Sequence, residues 1–256
     1  MTDALPNAPS PDPAPSAPAP LSPIAAVAGP FTRPGATFSA LVARPTWWLP
    51  LVAWLVVVIA SVWVATPKID MERSIREMFE KRMAASGQSM SDQQVQEIAA
   101  RSDRGPARAA AWAAPFTAGI FFLVALLLWG GARAFGAEAR YPQLLAVWGH
   151  ANLVNAAGGL LSIPVLASLP DASETQMSVQ RVFKSNLGAF LPDTTPAALS
   201  SVASSLDVFS LAALALLCLG MSRLPQMPRG AAIGVPLALW LVYVAGKAAI
   251  AAVFLG

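Results

Sequence analysis

The sequence contains one cysteine, one histidine and few charged residues. A single cysteine excludes a disulfide within the chain, and one cysteine with one histidine excludes a zinc site built from Cys and His ligands. Any catalytic triad would have to use His150. The glycine patterns of phosphate-binding and dinucleotide-binding loops are also missing. We therefore expect no catalytic residues, no metal site, no cofactor and no enzyme activity.

Charge is scarce throughout the 256 residues. Only 12% of them are charged, against about 25% in an average soluble domain. Apolar residues make up 55% of the chain, and its mean hydropathy is +0.55. The net charge of +3 comes from 17 basic residues that form no dense cluster, so nucleic acid is not an expected partner. These values predict an all-α, polytopic integral membrane protein whose surroundings are the lipid bilayer.

The first 30 residues differ in composition from the rest. They hold 9 of the 23 prolines, and no basic residue precedes Arg33. This composition predicts a disordered Pro/Ala-rich tail over residues 1–30, rather than a cleavable secretory signal. We interpret the tail as a flexible spacer, and the alternative is a segment that docks in an aromatic-lined groove of a partner.

Five apolar stretches are long enough to cross about 30 Å of hydrocarbon, which takes about 20 helical residues. Trp47, Trp48 and Trp63 lie at the two ends of the first stretch, where indoles favour the membrane interfaces. The predicted spans are residues 46–65, 112–132, 142–168, 196–222 and 231–254.

A charged loop over residues 68–108 separates the first two spans and predicts two amphipathic helices. Gly87 is the expected C-terminal cap of the first helix, and Ser91 with Gln94 forms a capping box for the second, ahead of Val95 and Ile98. A second amphipathic stretch follows span three. We expect both stretches to pack on the protein's own spans or on the bilayer. The apolar faces comprise Met71, Ile75, Met78, Phe79 and Met83 in the loop, and Val179, Phe183, Leu187, Phe190 and Leu191 in the later stretch.

Asp207 and Lys247 are the ionisable residues of greatest interest within the predicted spans, where charge is costly. Each lies twenty positions from the turn near Met227, so antiparallel helices would place them at equal depth. We predict an ion pair that locks spans four and five together. The alternatives are that the two residues line a polar path or contact a lipid headgroup, and that they do not meet because Lys247 extends to the interface.

The third predicted span carries three further polar candidates, His150, Asn152 and Asn155. Asn152, Asn155 and Gly159 share one helical face, which favours close helix packing with amide hydrogen bonds. His150 points about 200° away from Asn152 at 100° per residue, so the three residues do not form one cluster. Gly158, Gly159 and Pro164 predict a kink in this span.

Several short stretches follow one another in a familiar order: Phe31-Thr-Arg-Pro34, Thr37-Phe38, Arg44-Pro45, Trp47-Trp48-Leu49-Pro50, Tyr141-Pro-Gln-Leu-Leu-Ala-Val-Trp148, Leu206-Asp-Val-Phe-Ser210 and Gly220. With these residues the chain resembles bacterial members of the Yip (Ypt/Rab-interacting protein) membrane-domain family over residues 31–256. The resemblance implies a five-helix, non-enzymatic domain in the bacterial inner membrane. Eukaryotic members bind prenylated Rab GTPases, but the Asp-Leu-Tyr-Gly-Pro motif typical of those members is absent here, so Rab binding is not carried over to this chain.

The sequence is compatible with two functions. The first is a membrane scaffold or interaction protein that contacts other membrane proteins or itself through the tail and the first loop. The second is a small transporter, channel or lipid-handling protein that uses polar residues of spans three to five. A water-accessible cavity at Asn155, Asp207 or Lys247 would favour the second.

The orientation is predicted with the amino terminus in the cytoplasm. This topology places six basic residues inside and ten outside, which by raw count opposes the positive-inside rule. The first loop, however, nearly balances its basic residues with acids and is expected to fold as a hairpin, whereas the two short inside loops are plainly basic. The six inside residues are Arg33, Arg44, Arg133, Arg140, Arg223 and Arg229.

Overall fold

The computed structural model describes residues 21–83, 91–102, 105–171, 184–192 and 194–255. Residues 1–20, Gly87, Val179 and Phe183 lie outside this range, and so do the predictions made for them. In the described part the helices are joined by turns and irregular segments, with an isolated bridge between Asn186 and Asp207. The helices are α1 Pro23–Thr32, α2 Pro34–Ala43, α3 Trp48–Ala65, α4 Met71–Met83, α5 Asp92–Ser102, α6 Gly105–Ala134, α7 Tyr141–Ala151, α8 Leu153–Ser168, α9 Ala197–Ser205, α10 Val208–Met221 and α11 Arg229–Leu255.

Four helical segments are long and apolar enough to cross a membrane: Trp48–Lys68, Gly105–Ala134, Tyr141–Ser168 and Arg229–Val253. Most of the first segment faces outward, since only 6% of its most apolar window is buried inside the protein, whereas 44% of the corresponding window of the third segment is buried. Water would penalise so large an apolar surface, whereas hydrocarbon accepts it. The prediction of an all-α polytopic membrane protein is therefore confirmed.

The fourth predicted span is not one helix. It is divided at Leu206 and Asp207 into α9 and α10. At 1.5 Å per residue, the 14 residues of α10 extend for about 21 Å, less than the ~30 Å of a bilayer core. The break has a local cause, because the Asp207 side chain caps the amino terminus of α10 by accepting hydrogen bonds from Phe209 N and Ser210 N. The sequence does not reveal this break, because an aspartate that caps a helix and an aspartate in the middle of a span give the same pattern in an apolar run.

The third predicted span continues from α7 into α8, and its interruption lies at Asn152. There the backbone N–H of Asn152 bonds to Trp148 O at 3.1 Å. The prediction placed a kink at Gly158, Gly159 and Pro164, all of which lie inside the assigned helix α8.

The predicted tail is too long at its carboxyl end. Residues 23–32 form α1, whose N-cap is Ser22: the Ser22 hydroxyl accepts a hydrogen bond from Ala25 N at 3.2 Å. Gly29 in α1 lies so close to Thr37 in α2 that a Cβ at this position would overlap the Thr37 side chain. Ala26 and Pro30 are also buried. Residues 21–30 therefore belong to the folded domain that was predicted to begin at residue 31, because α1 packs against other helices.

One end of the helical bundle, which we call the basic end, contains the largest buried cluster. There α2 packs on α7 and α10, with Phe38 and Met221 fully buried. The Gln143 side chain donates to Val42 O at 2.8 Å, and Glu138 N donates to Pro225 O at 3.1 Å. These contacts join α2, α7 and the α10–α11 turn. The exposed arginines in or next to these elements and in the last turn of α6 are Arg33, Arg44, Arg133, Arg140, Arg223 and Arg229.

The charged loop between the first two spans folds as a helical hairpin. Ile75 in α4 packs against Val95 and Ala99 in α5 in a small separate core. The capping box is confirmed, because Ser91 Oγ accepts from Gln94 N at 3.3 Å and Gln94 Oε1 accepts from Ser91 N at 3.1 Å. The hairpin therefore buries much of its apolar surface between its own two helices.

The second amphipathic stretch lies partly outside the described residues, which include Leu187, Phe190 and Leu191. Its residues Leu187–Phe190 form a short 3-10 helix and not a turn of α-helix. Phe190 is 71% exposed. The predicted single apolar face is therefore not formed by Leu187 and Phe190 against the bundle.

Candidate functional site

A half-open cavity of about 190 Å³ lies at the end of the bundle opposite the basic end. It is formed by α8, the segment before the 3-10 helix, α9, the start of α10, and α11. A cavity of this size holds several water molecules or a small ligand group. We call it the polar cavity, and its lining residues are Asn155, Gly158, Gly159, Ser185, Ser204, Ser205, Asp207, Phe209, Ser210, Trp240, Tyr243 and Lys247.

The polar cavity exists because the helix breaks at Asp207. Its Oδ1 accepts from Phe209 N at 2.9 Å and from Ser210 N at 3.0 Å, while its Oδ2 accepts from the Ser185 hydroxyl. Val208 N also donates to Ser185 O at 3.1 Å, which joins the incoming segment to the break. A carboxylate at a helix N-terminus is stabilised by the free N–H groups and by the helix dipole. Asp207 is therefore a structural cap as well as a charge on the cavity wall.

Lys247 supplies the cation of the polar cavity. Its Nζ donates to Ser204 Oγ at 3.2 Å and lies 5.8 Å from the centroid of the Tyr243 ring. No carboxylate of the described residues forms an ion pair with it. An ammonium group has three donors, so one hydrogen bond leaves two of them for water or a ligand.

The predicted ion pair between Asp207 and Lys247 is therefore not formed. The equal distance from the turn does bring both residues to one cavity. However, equal depth does not fix the lateral separation of two side chains. The carboxylate is directed to the amino terminus of α10 and to Ser185, while the ammonium is directed to Ser204.

Asn155 lines the cavity and continues into a short amide chain. Its Nδ2 donates to Asn152 Oδ1 at 2.9 Å, and Asn152 Nδ2 donates to Trp148 O at 3.0 Å. The two amides therefore bond to each other and to the backbone at the α7–α8 junction. Asn152 itself is buried and does not line the polar cavity.

His150 is fully buried in α7 and separate from the polar cavity. Its Nδ1 lies 2.8 Å from Ala146 O, a carbonyl that can only accept, so Nδ1 carries a proton. Its Nε2 has no hydrogen-bond partner in the structure. The structure thus brings together three of the five candidates, Asn155, Asp207 and Lys247, and places Asn152 and His150 elsewhere.

Sequence reasoning missed the hydroxyl and aromatic groups of the site. Four serines and the rings of Trp240 and Tyr243 line the cavity. One signal was available, because Tyr243 precedes Lys247 by one helical turn and such pairs share a helix face. The serines gave no comparable signal, since only the fold brings Ser185 next to α9 and α10.

The depth of the polar cavity follows from helix lengths. Lys247 lies 18 residues beyond Arg229, the first residue of α11, which is about 27 Å along a helix. By the same rise, the start of α10, which Asp207 caps, lies about 21 Å from the end of α10 at the basic end. Against ~30 Å of hydrocarbon, the cavity lies just inside the membrane face opposite the basic end.

The described residues include no group of three or more His, Cys, Asp or Glu side chains that could hold a metal ion. What they contain is a cation, a carboxylate, hydroxyls and an amide around one small space at the end of a bundle of apolar helices. This arrangement defines the class: a polytopic helical membrane protein with a polar cavity near one membrane face.

The profile of the Yip1 domain matches residues 28–250 of the chain. This match covers most of the sequence, and the chain belongs to the Yip1 domain family. The family resemblance predicted from the sequence is thereby confirmed. Comparison with curated proteins gave no significant match, and neither did comparison with solved structures.

Proposed function

We propose that this chain is a non-enzymatic membrane protein of the Yip type that binds a small polar ligand or a lipid headgroup in the polar cavity. The observation that carries the proposal is that Asn155, Asp207 and Lys247 line one half-open cavity. A protein acting only as a scaffold has no need of an unpaired cation there. The proposal therefore favours the solute-handling or lipid-handling alternative over a pure scaffold.

Two energetic arguments support this choice. A cation at the centre of a span costs roughly 2.5 to 3.5 kcal/mol on insertion scales, and less near a membrane face, and in membrane proteins such residues mark functional paths. Non-helical backbone at membrane depth is tolerated where it is buried in protein or lines a water-filled cavity. The break at Leu206 and Asp207 lines such a cavity, and broken helices form the binding sites of many transporters.

Purification in a mild detergent, followed by mass spectrometry of the co-purifying lipids and small molecules, tests the proposal. We expect a polar species to be retained by the unmodified chain and lost from Lys247→Met, because this change removes the cation but keeps a side chain of similar length. Arg108→Gln is the matched control, since Arg108 is exposed in α6 and does not line the cavity. If no species depended on Lys247, ligand binding in the cavity would be refuted.

A scaffold role is the second candidate, and the α4–α5 hairpin favours it. This hairpin has its own small core, and the ion pair between Arg76 and Asp92, at 2.9 Å, is exposed on its surface. Such a unit can contact another membrane protein without disturbing the spans. Proteins that co-purify with the full chain but not with a chain lacking residues 71–102 would identify this role.

The basic end indicates the orientation, which we propose has the amino terminus in the cytoplasm of a bacterial cell and the spans in its inner membrane. Six arginines are carried by the elements at this end, with Glu138 in the same short loop as Arg140. Arginine-rich short loops remain on the cytoplasmic side during insertion. The polar cavity would then lie near the outer face of that membrane.

Reporter fusions test this topology. A reporter after Gly136 should be active on the cytoplasmic side, whereas reporters after Gly87 and after Gly256 should be active on the outside. The last two positions follow chain segments that run from the basic end towards the cavity end. Reversal of all three signals would contradict the orientation but not the fold.

A further inference from the structure

We infer that the polar cavity recognises a phosphate joined to a primary ammonium by a short linker, the phosphoethanolamine unit of a lipid headgroup. This inference rests on the proposed function and names the ligand of the same site. Three observations support it: the hydrogen bonds that Lys247 and Asp207 already make, the opposite charges of these two residues, and the depth of the cavity.

Lys247 is the group that binds the phosphate. Its single hydrogen bond, to Ser204 Oγ, leaves two donors. Ser204 does not compete for the ligand as a donor, because its own hydroxyl donates to Ser201 O at 2.9 Å. Tyr243 also lines the cavity, and it lies on the same helix one turn before Lys247. An ammonium with a neighbouring phenol supplies charge and donors for phosphate oxygens.

Asp207 and Asn155 are the groups that bind the ammonium. Asp207 accepts three hydrogen bonds, whereas a carboxylate has about four acceptor positions. Asn155 uses its Nδ2 towards Asn152, so its carbonyl oxygen is the part of the amide that can accept from a ligand. The rings of Phe209 and Trp240 also line the cavity, and aromatic rings attract a desolvated cation.

The balance of charge disfavours ligands that carry charge of one sign only. The cavity holds one cation and one carboxylate that are not in contact. A ligand with only negative charge would be repelled by Asp207, and one with only positive charge would be repelled by Lys247. In a region of low polarity a charge without an opposite charge beside it is expensive. A zwitterion places an opposite charge near each of them.

The position of the cavity favours a lipid as the source of this group. By helix length it lies just inside one membrane face, near the headgroups of that leaflet. The outer surface of α11 beside Lys247 is apolar, with Val242 and Ile250 exposed, which suits neighbouring acyl chains. A headgroup could enter the half-open cavity from its own leaflet while the acyl chains stayed in hydrocarbon.

The test compares two lipids that share a phosphate but differ in the ammonium. The full chain in detergent micelles is titrated with phosphatidylethanolamine or phosphatidylglycerol, and binding is followed by native mass spectrometry and by the melting temperature. We expect phosphatidylethanolamine to bind about tenfold more tightly, a difference of about 1.4 kcal/mol. Soluble phosphoethanolamine is titrated in parallel, and equal binding of it would show that the same group comes from a soluble molecule.

Two variants assign the two halves of the ligand. Lys247→Met should abolish binding of both lipids, because both carry the phosphate. Asp207→Asn should remove the preference for phosphatidylethanolamine while the protein stays folded, because asparagine is also a good N-cap. Arg108→Gln should bind as the unmodified chain does.

Equal affinity for the two lipids, unchanged by Asp207→Asn, would overturn the inference that an ammonium is recognised. The proposed function would survive that result if a polar species were still lost from Lys247→Met. If Lys247→Met lost no bound species, both the inference and the proposed function would fail. The two failures are therefore distinguishable.

Discussion

Replacing Phe38 by alanine should lower the free energy of unfolding by about 3 to 5 kcal/mol, the range for large aromatic side chains removed from a packed core. Phe38 is fully buried in α2, within the cluster that joins α2, α7 and α10. Its ring lies against Gly220, where an added Cβ would stand 2.9 Å from Phe38 Cδ1. Gly220 has no side chain that could move into the space left by the removed ring.

Chemical unfolding in detergent micelles measures this loss, and Phe31→Ala is its control. Phe31 lies in α1 and is 51% exposed, so its truncation should change stability by about 0.5 kcal/mol or less. Equal, small losses for the two variants would contradict the packing of α2 into the bundle. They would also indicate that the folded domain begins closer to the first span than α1 and α2.

Replacing Asp207 by alanine should destabilise the protein by about 1.5 to 3 kcal/mol. Loss of an N-cap costs about 0.5 to 2 kcal/mol, and the Ser185 hydroxyl loses its acceptor for about another 1 kcal/mol. The backbone N–H groups of Phe209 and Ser210 would be left without the carboxylate that accepts their hydrogen bonds. The expected effect therefore comes from the cap, not from a lost ion pair with Lys247.

Comparison with Asp207→Asn separates these two explanations. Asparagine retains an oxygen for the two N–H groups, so this variant should keep most of the stability in the same unfolding measurement. If the charge were essential through Lys247, the asparagine variant would be as unstable as the alanine variant. Lys247→Met should leave the stability almost unchanged, since it breaks only the hydrogen bond to Ser204 and the contact with Tyr243.

Local patterns in the sequence were sufficient for the membrane class, the helical fold and the family. Long apolar runs without charge can only be stable in hydrocarbon as helices, because each backbone N–H and C=O must be satisfied within its own segment. The Ser91 and Gln94 capping box was equally readable, since both partners lie within one helical turn. These features depend on neighbours along the chain and need no knowledge of the fold.

The candidate site was only partly predictable. Helix periodicity placed Asp207 and Lys247 at one level, and the structure places both on one cavity. It could not give the direction of either side chain, so an ion pair was predicted where a helix cap and a serine contact are found. The cap required knowing that the helix ends at Leu206, within a run of residues that looks continuous.

The sequence by itself determined the solvent of this protein, the helical character of its segments and the presence of rare charges among apolar residues. Only the tertiary structure decided that α1 belongs to the fold, that the fourth apolar run breaks, and that Ser185, Asn155 and Lys247 meet around Asp207. The physical reason is the range of the interactions. Hydrophobicity and capping act between residues close in the chain, whereas a cavity is formed by the side chains of helices that are neighbours only after packing.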